Sequence, residues 1–176
     1  MGLAHGPARF LQIGRGDWHR DREWRYASRM PKEIDCELCA LPGGDLLWES
    51  ELCRVVRVTD ASGRAFPGSC RVILKRHVAE MSELDAADAQ RLMATVLATE
   101  RALRKALRPD KINLASLGNV VPHLHWHVVP RWRDDSHFPA PIWAAPQRTA
   151  APHDIGSSDG LRHAIQAELQ TVNHTP

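Results

Sequence analysis

The sequence of 176 residues has little of several features that mark particular classes of protein. Its four cysteines are too few for the disulfide scaffold of a small secreted domain, and a chain of this length buries enough surface to fold without one. No apolar run approaches the roughly 20 residues that cross a bilayer, and the first residues lack the apolar core of a signal peptide. We therefore expect a cytoplasmic protein without a membrane segment.

The charge is also nearly balanced. The formal net charge is only +2, so attraction to a phosphate backbone is not expected to dominate the surface, and no stable nucleic-acid partner is predicted. Glycine-rich phosphate loops of the GxGxxG or GxxxxGK type do not occur in the sequence. Small anionic ligands remain compatible with this composition, but they would have to be bound in another way.

The composition divides the chain into three segments. Residues 1–29 hold six arginines without a sustained period of 2 or 3.6 residues, which favours a poorly ordered or peripheral extension over a functional basic arm. Residues 30–146 have the regular apolar pattern of a folded domain. Residues 147–176 are rich in Ala, Pro, Ser and His, and Leu161, Ile165 and Leu169 within them have helical spacing. We expect a C-terminal tail with a short helix.

The apolar pattern of the central segment predicts strands, then one helix, then further strands. Short apolar stretches separated by turn residues predict antiparallel strands at 46–48, 52–58 and 70–74. Ser82 with Asp85 three residues later resembles a capping box, which predicts an amphipathic helix from Ser82 up to Pro109. Two more strands are expected at 111–117 and 120–129.

Three histidines alternate with apolar residues near the end of the predicted domain. In a strand, His123, His125 and His127 would share one face, although any polar residue could occupy an exposed face. One zinc ion bound by all three is disfavoured, because the outer pair would lie roughly 13 Å apart and zinc ligands lie about 2 Å from the metal. Imidazole is a nucleophile and proton carrier at neutral pH, so we expect the three histidines to have different functional roles.

Cys36 and Cys39 form a Cys-x-x-Cys pair, which is typical of half of a tetrahedral zinc site. A reduced pair without metal and a redox motif are the alternatives. Cys53 and Cys70 compete as further ligands, but both lie in strand-like apolar runs where cysteine usually behaves as a small buried hydrophobe.

The pattern His-apolar-His-apolar-His-apolar-apolar at residues 123–129, with Gly118-Asn119 before it and Pro130-Arg131 after it, resembles the signature of the histidine triad superfamily of nucleotide hydrolases and transferases. A weaker similarity extends from about Cys36 to Trp143. The resemblance implies an α+β fold in which one long helix packs on an antiparallel sheet of about five strands, usually in a homodimer. It also implies cleavage at the α-phosphate of a nucleotide, and Pro-Ile-Trp at 141–143 brings the chain nearest to bacterial dinucleoside polyphosphate hydrolases.

The resemblance also implies roles for particular residues. His125 would be the nucleophile that forms a nucleotidyl-histidine intermediate, and His127 would contact the α-phosphate. The implied substrate-binding residues are Asp60 at the ribose, Ser69, Asn113, Gly118 and Asn119. Structural zinc would be bound by Cys36, Cys39, His77 and His123, and no organic cofactor is implied.

One departure bears on activity. Many members of the superfamily have Pro-Gly-His where this chain has Pro67-Gly68-Ser69, so Ser69 would have to replace a histidine beside the phosphates. A nucleotide-binding module with little turnover is therefore an alternative to the hydrolase. A metallohydrolase that uses an open zinc site is a third, more distant hypothesis.

Overall fold

The computed structural model describes residues 35–172, so the predicted extension at residues 1–29 lies outside the described part. The described elements, in chain order, are α1 (Glu37–Ala40), β1 (Asp45–Glu49), β2 (Cys53–Arg57), α2 (Ala61–Ala65), β3 (Cys70–Leu74), α3 (Ala86–Leu107), β4 (Lys111–Ala115), β5 (His125–Arg131) and α4 (Ser158–Val172). No helix among residues 35–172 is long and apolar enough to cross a membrane.

The five strands form one sheet in the order β1-β2-β3-β5-β4. Every neighbouring pair is antiparallel. The predicted α+β fold is confirmed, with a five-stranded antiparallel sheet, the long helix α3 and a C-terminal helix. β5 lies between β3 and β4, so it is an interior strand; it carries His125 and His127, whereas His123 precedes it, outside the strand in which all three histidines were expected.

The two faces of the sheet have different surroundings. Alternate residues of β2, β3 and β5 join the main core with α3 and α4, and Val55, Val72 and Val128 are fully buried in it. A smaller apolar cluster comprises Cys36, Leu38, Val56 and Ile73. Because successive residues of a strand point to opposite faces, His125 and His127 lie on the face away from α3 and α4.

The start of the long helix differs from the prediction. Residues Met81–Glu83 form a separate 3₁₀ turn, and its capping box joins Glu80 and Glu83. The carboxylate of Asp85 accepts a hydrogen bond from the backbone N–H of Asp88 at 2.8 Å, which makes Asp85 the N-cap of α3. The prediction of a capping box at Ser82 is therefore wrong, because the residue that caps this helix is Asp85, three positions later.

The last strand is also displaced from its prediction of 120–129. Residues 120–124 are not strand, and β5 continues through Pro130 to Arg131. β3 pairs with β5 only up to Val128, so at Pro130 the strand has β4 as its single neighbour. A proline is tolerated where a strand lacks a second partner, which explains why it does not end β5.

The C-terminal helix α4 follows the predicted spacing. Leu161, Ile165 and Leu169 are all buried in the main core. Glu168, on the same helix, accepts a hydrogen bond from the Arg101 guanidinium of α3 at 2.9 Å and a second from the Lys105 ammonium. Residues of the predicted tail therefore contribute to the core.

Candidate functional site

His125 and His127 form a pair on the open face of β5. Their ring centroids lie 4.9 Å apart with the planes inclined at 66°. Nδ1 of His125 lies 2.6 Å from the carbonyl oxygen of His123. A carbonyl can only accept a hydrogen bond, so Nδ1 carries the proton and Nε2 retains its lone pair. The backbone thereby fixes the tautomer in which Nε2 can act as a nucleophile.

Both rings are held in the neutral form. Burial lowers the pKa of His125 below its ordinary value, and the nearby Arg71 guanidinium acts in the same direction. Burial, together with His125 and Arg71, lowers the pKa of His127 to about 4, although the Asp60 carboxylate opposes this. A neutral imidazole at physiological pH keeps a lone pair, which nucleophilic attack requires.

Arg71 provides a cation beside this pair, and the sequence interpretation missed it. It lies on β3 directly opposite His127 in the strand register. Its Nη2 donates to Asp60 Oδ2 at 3.1 Å, and its Nη1 donates to the carbonyl oxygen of Gly43 at 3.3 Å. A guanidinium beside two neutral histidines favours an anionic ligand, and phosphate is a group that arginine binds well.

The histidine pair lies in a cleft of about 340 Å³, which we call the histidine cleft. Its lining residues come from α1, β3, the loop before β5, β5 itself and the segment after β5: Glu37, Leu38, Arg71, Leu117, Gly118, Asn119, Val120, Val121, His125, His127 and Trp143. Gly118 has a φ of +65°, a backbone conformation that favours glycine. The predicted substrate-binding residues Gly118 and Asn119 therefore line the same cleft as the histidine pair.

Asp60 lies beside the histidine cleft. It lines a smaller adjoining cleft of about 190 Å³ that shares Arg71 with the first. Its side chain caps α2 by accepting from the N–H groups of Ser62 and Gly63. Burial alone would raise the pKa of Asp60, but these hydrogen bonds and the one from Arg71 lower it. Asp60 therefore caps a helix and also provides an anion at the edge of the site.

The structure does not bring Ser69 or Asn113 into the histidine cleft. The Ser69 hydroxyl is buried and donates to the carbonyl oxygen of Phe66 at 2.6 Å. Asn113 instead lines a larger cleft of about 620 Å³, which meets the histidine cleft at Trp143. Of the five predicted substrate-binding residues, only Asp60, Gly118 and Asn119 lie in or beside the histidine cleft.

Arg131 connects these surfaces to the loop after β5. Its guanidinium binds the Asp135 carboxylate through Nε at 2.6 Å and Nη2 at 3.1 Å. It also donates to Asn113 Oδ1 at 2.7 Å and to the carbonyl oxygen of Ala140 at 2.9 Å. These bonds hold the loop that leads to Trp143, whose ring centroid lies 6.4 Å from that of His127.

The predicted metal ligands form a separate cluster. Cys36 Sγ and Cys39 Sγ each lie 3.4 Å from His123 Nδ1. His77 Nδ1 lies 3.3 Å from Cys39 Sγ and 3.3 Å from His123 Nδ1. All four ligand atoms lie within 4.8 Å of one another, so these residues could hold a metal ion.

The spacing and orientation of these groups suit tetrahedral zinc. Two imidazole nitrogens about 2.05 Å from zinc would be about 3.3 Å apart at the tetrahedral angle, and the two histidine nitrogens are 3.3 Å apart. His123 Nε2 donates to the carbonyl oxygen of Leu74 at 2.7 Å, which leaves the lone pair of Nδ1 for a metal. The competing Cys70 lies outside the cluster, and burial raises the pKa of its thiol to about 12.

Comparisons with known proteins agree with this fold and motif. The model of the HIT domain family matches residues 44–134. Two curated relatives from strains of Mycobacterium tuberculosis, both named AP-4-A phosphorylase, are 33% identical over 78 residues. That match covers 41% of this chain and 40% of each relative, so it spans less than half of the relatives' length.

Solved structures resemble a larger part of the chain. A histidine triad protein from Marinobacter aquaeolei VT8 is 27% identical with a TM-score of 0.58, and the match covers 77% of this chain and 94% of that one. A histidine triad protein from Bradyrhizobium japonicum is 26% identical with a TM-score of 0.53, covering 72% and 90%. A zinc-bound histidine triad family protein from Mycobacterium smegmatis shares the fold at 20% identity, with a TM-score of 0.53 and coverage of 80% and 97%.

Proposed function

Because this chain belongs to the HIT domain family, we propose that it is a nucleotide hydrolase or transferase that acts at the α-phosphate of a nucleotide through His125. The observation that carries the proposal is the hydrogen bond from His125 Nδ1 to the carbonyl oxygen of His123 at 2.6 Å, which leaves the lone pair on Nε2. Arg71 and the loop at Gly118-Asn119 line the same cleft and would receive the phosphate.

In the first step, Nε2 of His125 attacks the α-phosphorus and the bond from phosphorus to the leaving group breaks. The leaving group takes the electron pair of that bond, and a nucleotidyl-histidine forms. The Nδ1–H bond to the His123 carbonyl stabilises the positive charge that develops on the imidazole ring. His127 would contact a phosphate oxygen, and the Arg71 guanidinium would stabilise the negative charge of the transition state.

In the second step, an acceptor attacks the same phosphorus and the bond to His125 breaks. With water as acceptor, the product is a nucleoside monophosphate and the water proton passes to solvent. The relatives from Mycobacterium tuberculosis are named AP-4-A phosphorylase, so inorganic phosphate is the other acceptor to test. With phosphate, the same step would release a nucleoside diphosphate.

Zinc would be held by Cys36, Cys39, His77 and His123, whose spacing fits a closed tetrahedral site. In such a site the ion supplies structure, because four protein ligands leave no open position for substrate. Cys36 is the N-cap residue of α1, and Glu37 and Leu38 of α1 line the histidine cleft.

A nucleotide-binding module with little turnover is the second candidate. It is favoured by Ser69, because the buried hydroxyl already donates to Phe66 and does not line the histidine cleft. The two candidates differ in what they require of His125, since only the enzyme needs a nucleophile. The homodimer, the cytoplasmic location and the division at residues 29 and 146 stay predictions.

The decisive experiment measures product release from diadenosine tetraphosphate and from an adenosine phosphoramidate, with and without inorganic phosphate. His125→Asn should lower the rate by about 10⁴-fold or more, as loss of a catalytic nucleophile does elsewhere. His163→Asn, on the exposed surface of α4, is the matched control and should leave the rate unchanged. AMP as product identifies water as the acceptor, and ADP identifies phosphate. Nucleotide binding without release of either product would instead support the binding module.

A further inference from the structure

Three residues line both the histidine cleft and the smaller cleft of about 190 Å³ beside it, which we call the adjoining cleft. They are Glu37, Leu38 and Arg71. Arg71 takes part in the mechanism above, whereas the carboxylate of Glu37 has no role in it. Glu37 is the first residue of α1 and is exposed. A carboxylate beside a phosphate site repels the phosphate, so another part of the ligand must favour it.

The adjoining cleft suits the uncharged part of a nucleotide. Its charged lining residues are Glu37, Asp60 and Arg71, and two carboxylates with one guanidinium give the lining a formal charge of −1. The guanidinium is also engaged, because Arg71 Nη2 donates to Asp60 Oδ2 at 3.1 Å. We therefore expect the phosphate to lie at the histidine pair and the nucleoside to lie in the adjoining cleft. Its volume of about 190 Å³ is below the roughly 300–1,000 Å³ of pockets that hold a whole ligand, which fits a site for one part of the molecule.

The lining also indicates what the bound group must offer. Leu38 and Leu41 provide apolar surface, and Leu41 is 60% exposed. The carboxylates of Glu37 and Asp60 can only accept hydrogen bonds when ionised. A group that fills the adjoining cleft should therefore combine an apolar face with several N–H or O–H donors. A nucleoside meets both conditions through the ring faces of its base, the base N–H groups and the ribose hydroxyls.

The nucleobases differ in how well they match a carboxylate. Guanine presents its N1–H and its 2-amino group side by side, so the two oxygens of one carboxylate can accept from both. Adenine presents one amino group beside N1, and N1 is an acceptor that would face the second oxygen. Cytosine has the same mismatch, and uracil has a single N–H between two carbonyl groups. A good bidentate pair discriminates against the wrong base by about 5- to 150-fold.

We propose that Glu37 makes this protein selective for guanine, by accepting hydrogen bonds from N1 and the 2-amino group of a guanine base in the adjoining cleft. This inference rests on the proposed function, and it names the nucleotide whose α-phosphorus His125 attacks. The reacting bonds are unchanged: the phosphorus bonds to His125 Nε2, and the leaving group takes the electron pair of the bond that breaks. The intermediate is then a guanylyl-histidine, which water releases as GMP.

The test titrates the wild-type protein with GMP, IMP and AMP by calorimetry, since a nucleoside monophosphate has no phosphate leaving group to lose. GMP should bind at least about fivefold more tightly than AMP. IMP keeps N1–H and lacks the 2-amino group, so its affinity should lie between the two. Glu37→Gln replaces one acceptor by an N–H donor and should bring the ratio of the two Kd values near 1. Loss of negative charge alone would tighten both nucleotides equally and leave the ratio unchanged. Glu51→Gln is the matched control, because Glu51 is exposed and lines neither cleft.

Product release separates the failure of this inference from the failure of the proposed function. The wild-type kcat/KM should be at least about fivefold higher for diguanosine tetraphosphate than for diadenosine tetraphosphate, and Glu37→Gln should remove the difference. If GMP is preferred in binding while neither compound is cleaved, the proposed function fails and the selection of guanine stands. If both compounds are cleaved and GMP binds no more tightly than AMP, the selection of guanine fails and the proposed function stands. A preference for GMP that persists in Glu37→Gln, or no binding of any of the three monophosphates, also overturns the assignment to Glu37.

Discussion

Replacement of Arg131 by methionine should be strongly destabilising, because this guanidinium is almost fully buried. Arg131 is 2% exposed and makes two hydrogen bonds to Asp135 and one each to Asn113 and Ala140. In Arg131→Met, the buried Asp135 carboxylate keeps its bonds from the N–H groups of His137 and Phe138 but loses its cation. Removing one partner of a buried ion pair costs about 3–5 kcal/mol, which is a large share of the ~5–15 kcal/mol that holds a typical domain folded.

Urea unfolding followed by circular dichroism measures this cost. With a slope of about 2 kcal/mol per molar urea, the midpoint should fall by about 2 M. Arg133→Met is the matched control. The Arg133 side chain is 82% exposed and pairs with Asp110 at 3.7 Å, so its replacement should lower the free energy of unfolding by less than about 1 kcal/mol. The double variant Arg131→Met/Asp135→Asn should recover part of the loss. A cost below about 1 kcal/mol for Arg131→Met, or strictly additive costs in the double variant, would refute the reasoning.

Three further predictions concern the metal cluster, the histidine pair and the core. Cys36→Ser should lower both the zinc content and the Tm while leaving reaction at His125 intact, and unchanged zinc content by atomic absorption would contradict the ligand assignment. In NMR titrations His127 should change protonation near pH 4, and Arg71→Met should raise that midpoint. Because the folded pKa lies below the unfolded value of 6.5, His127 should make the fold less stable as pH falls from 6.5 to 4, and a midpoint near 6.5 would exclude this. Ile165→Ala, at a fully buried site on α4, should cost about 2–5 kcal/mol in the same urea assay, and a cost near zero would show that α4 does not belong to the core.

The sequence interpretation succeeded where local pattern and spacing carry the information. Apolar periodicity placed β1, β2, β3 and α3 correctly apart from their ends. The four ligands proposed for zinc came from a family resemblance, and the structure brings them together. Their positions are far apart in the chain, at residues 36 and 39, 77 and 123, so spacing alone could not have assembled them.

Two features that the sequence interpretation missed depend on long-range pairing, and the position of one predicted residue, Ser69, depends on a local hydrogen bond. Arg71 faces His127 only because β3 and β5 are antiparallel neighbours in one particular register, and a single strand pattern does not contain that register. The Ser69 hydroxyl donates a hydrogen bond to the carbonyl oxygen of Phe66, a local bond that serine side chains commonly form in turns. The reach of Arg131 to Asn113 likewise depends on the pairing of β4 with β5.

The alternation of side chains along β5 also limits how this protein can change. Trp126 and Val128 pack in or against the main core, while His125 and His127 point to the opposite face. Deletion of one residue within β5 would exchange the two sets, driving imidazoles into the core and exposing the tryptophan. We expect such a deletion variant not to fold, so it would have no active site. The packing of Trp126 and Val128 on one face of the sheet therefore fixes the strand register that places His125 and His127 on the other face.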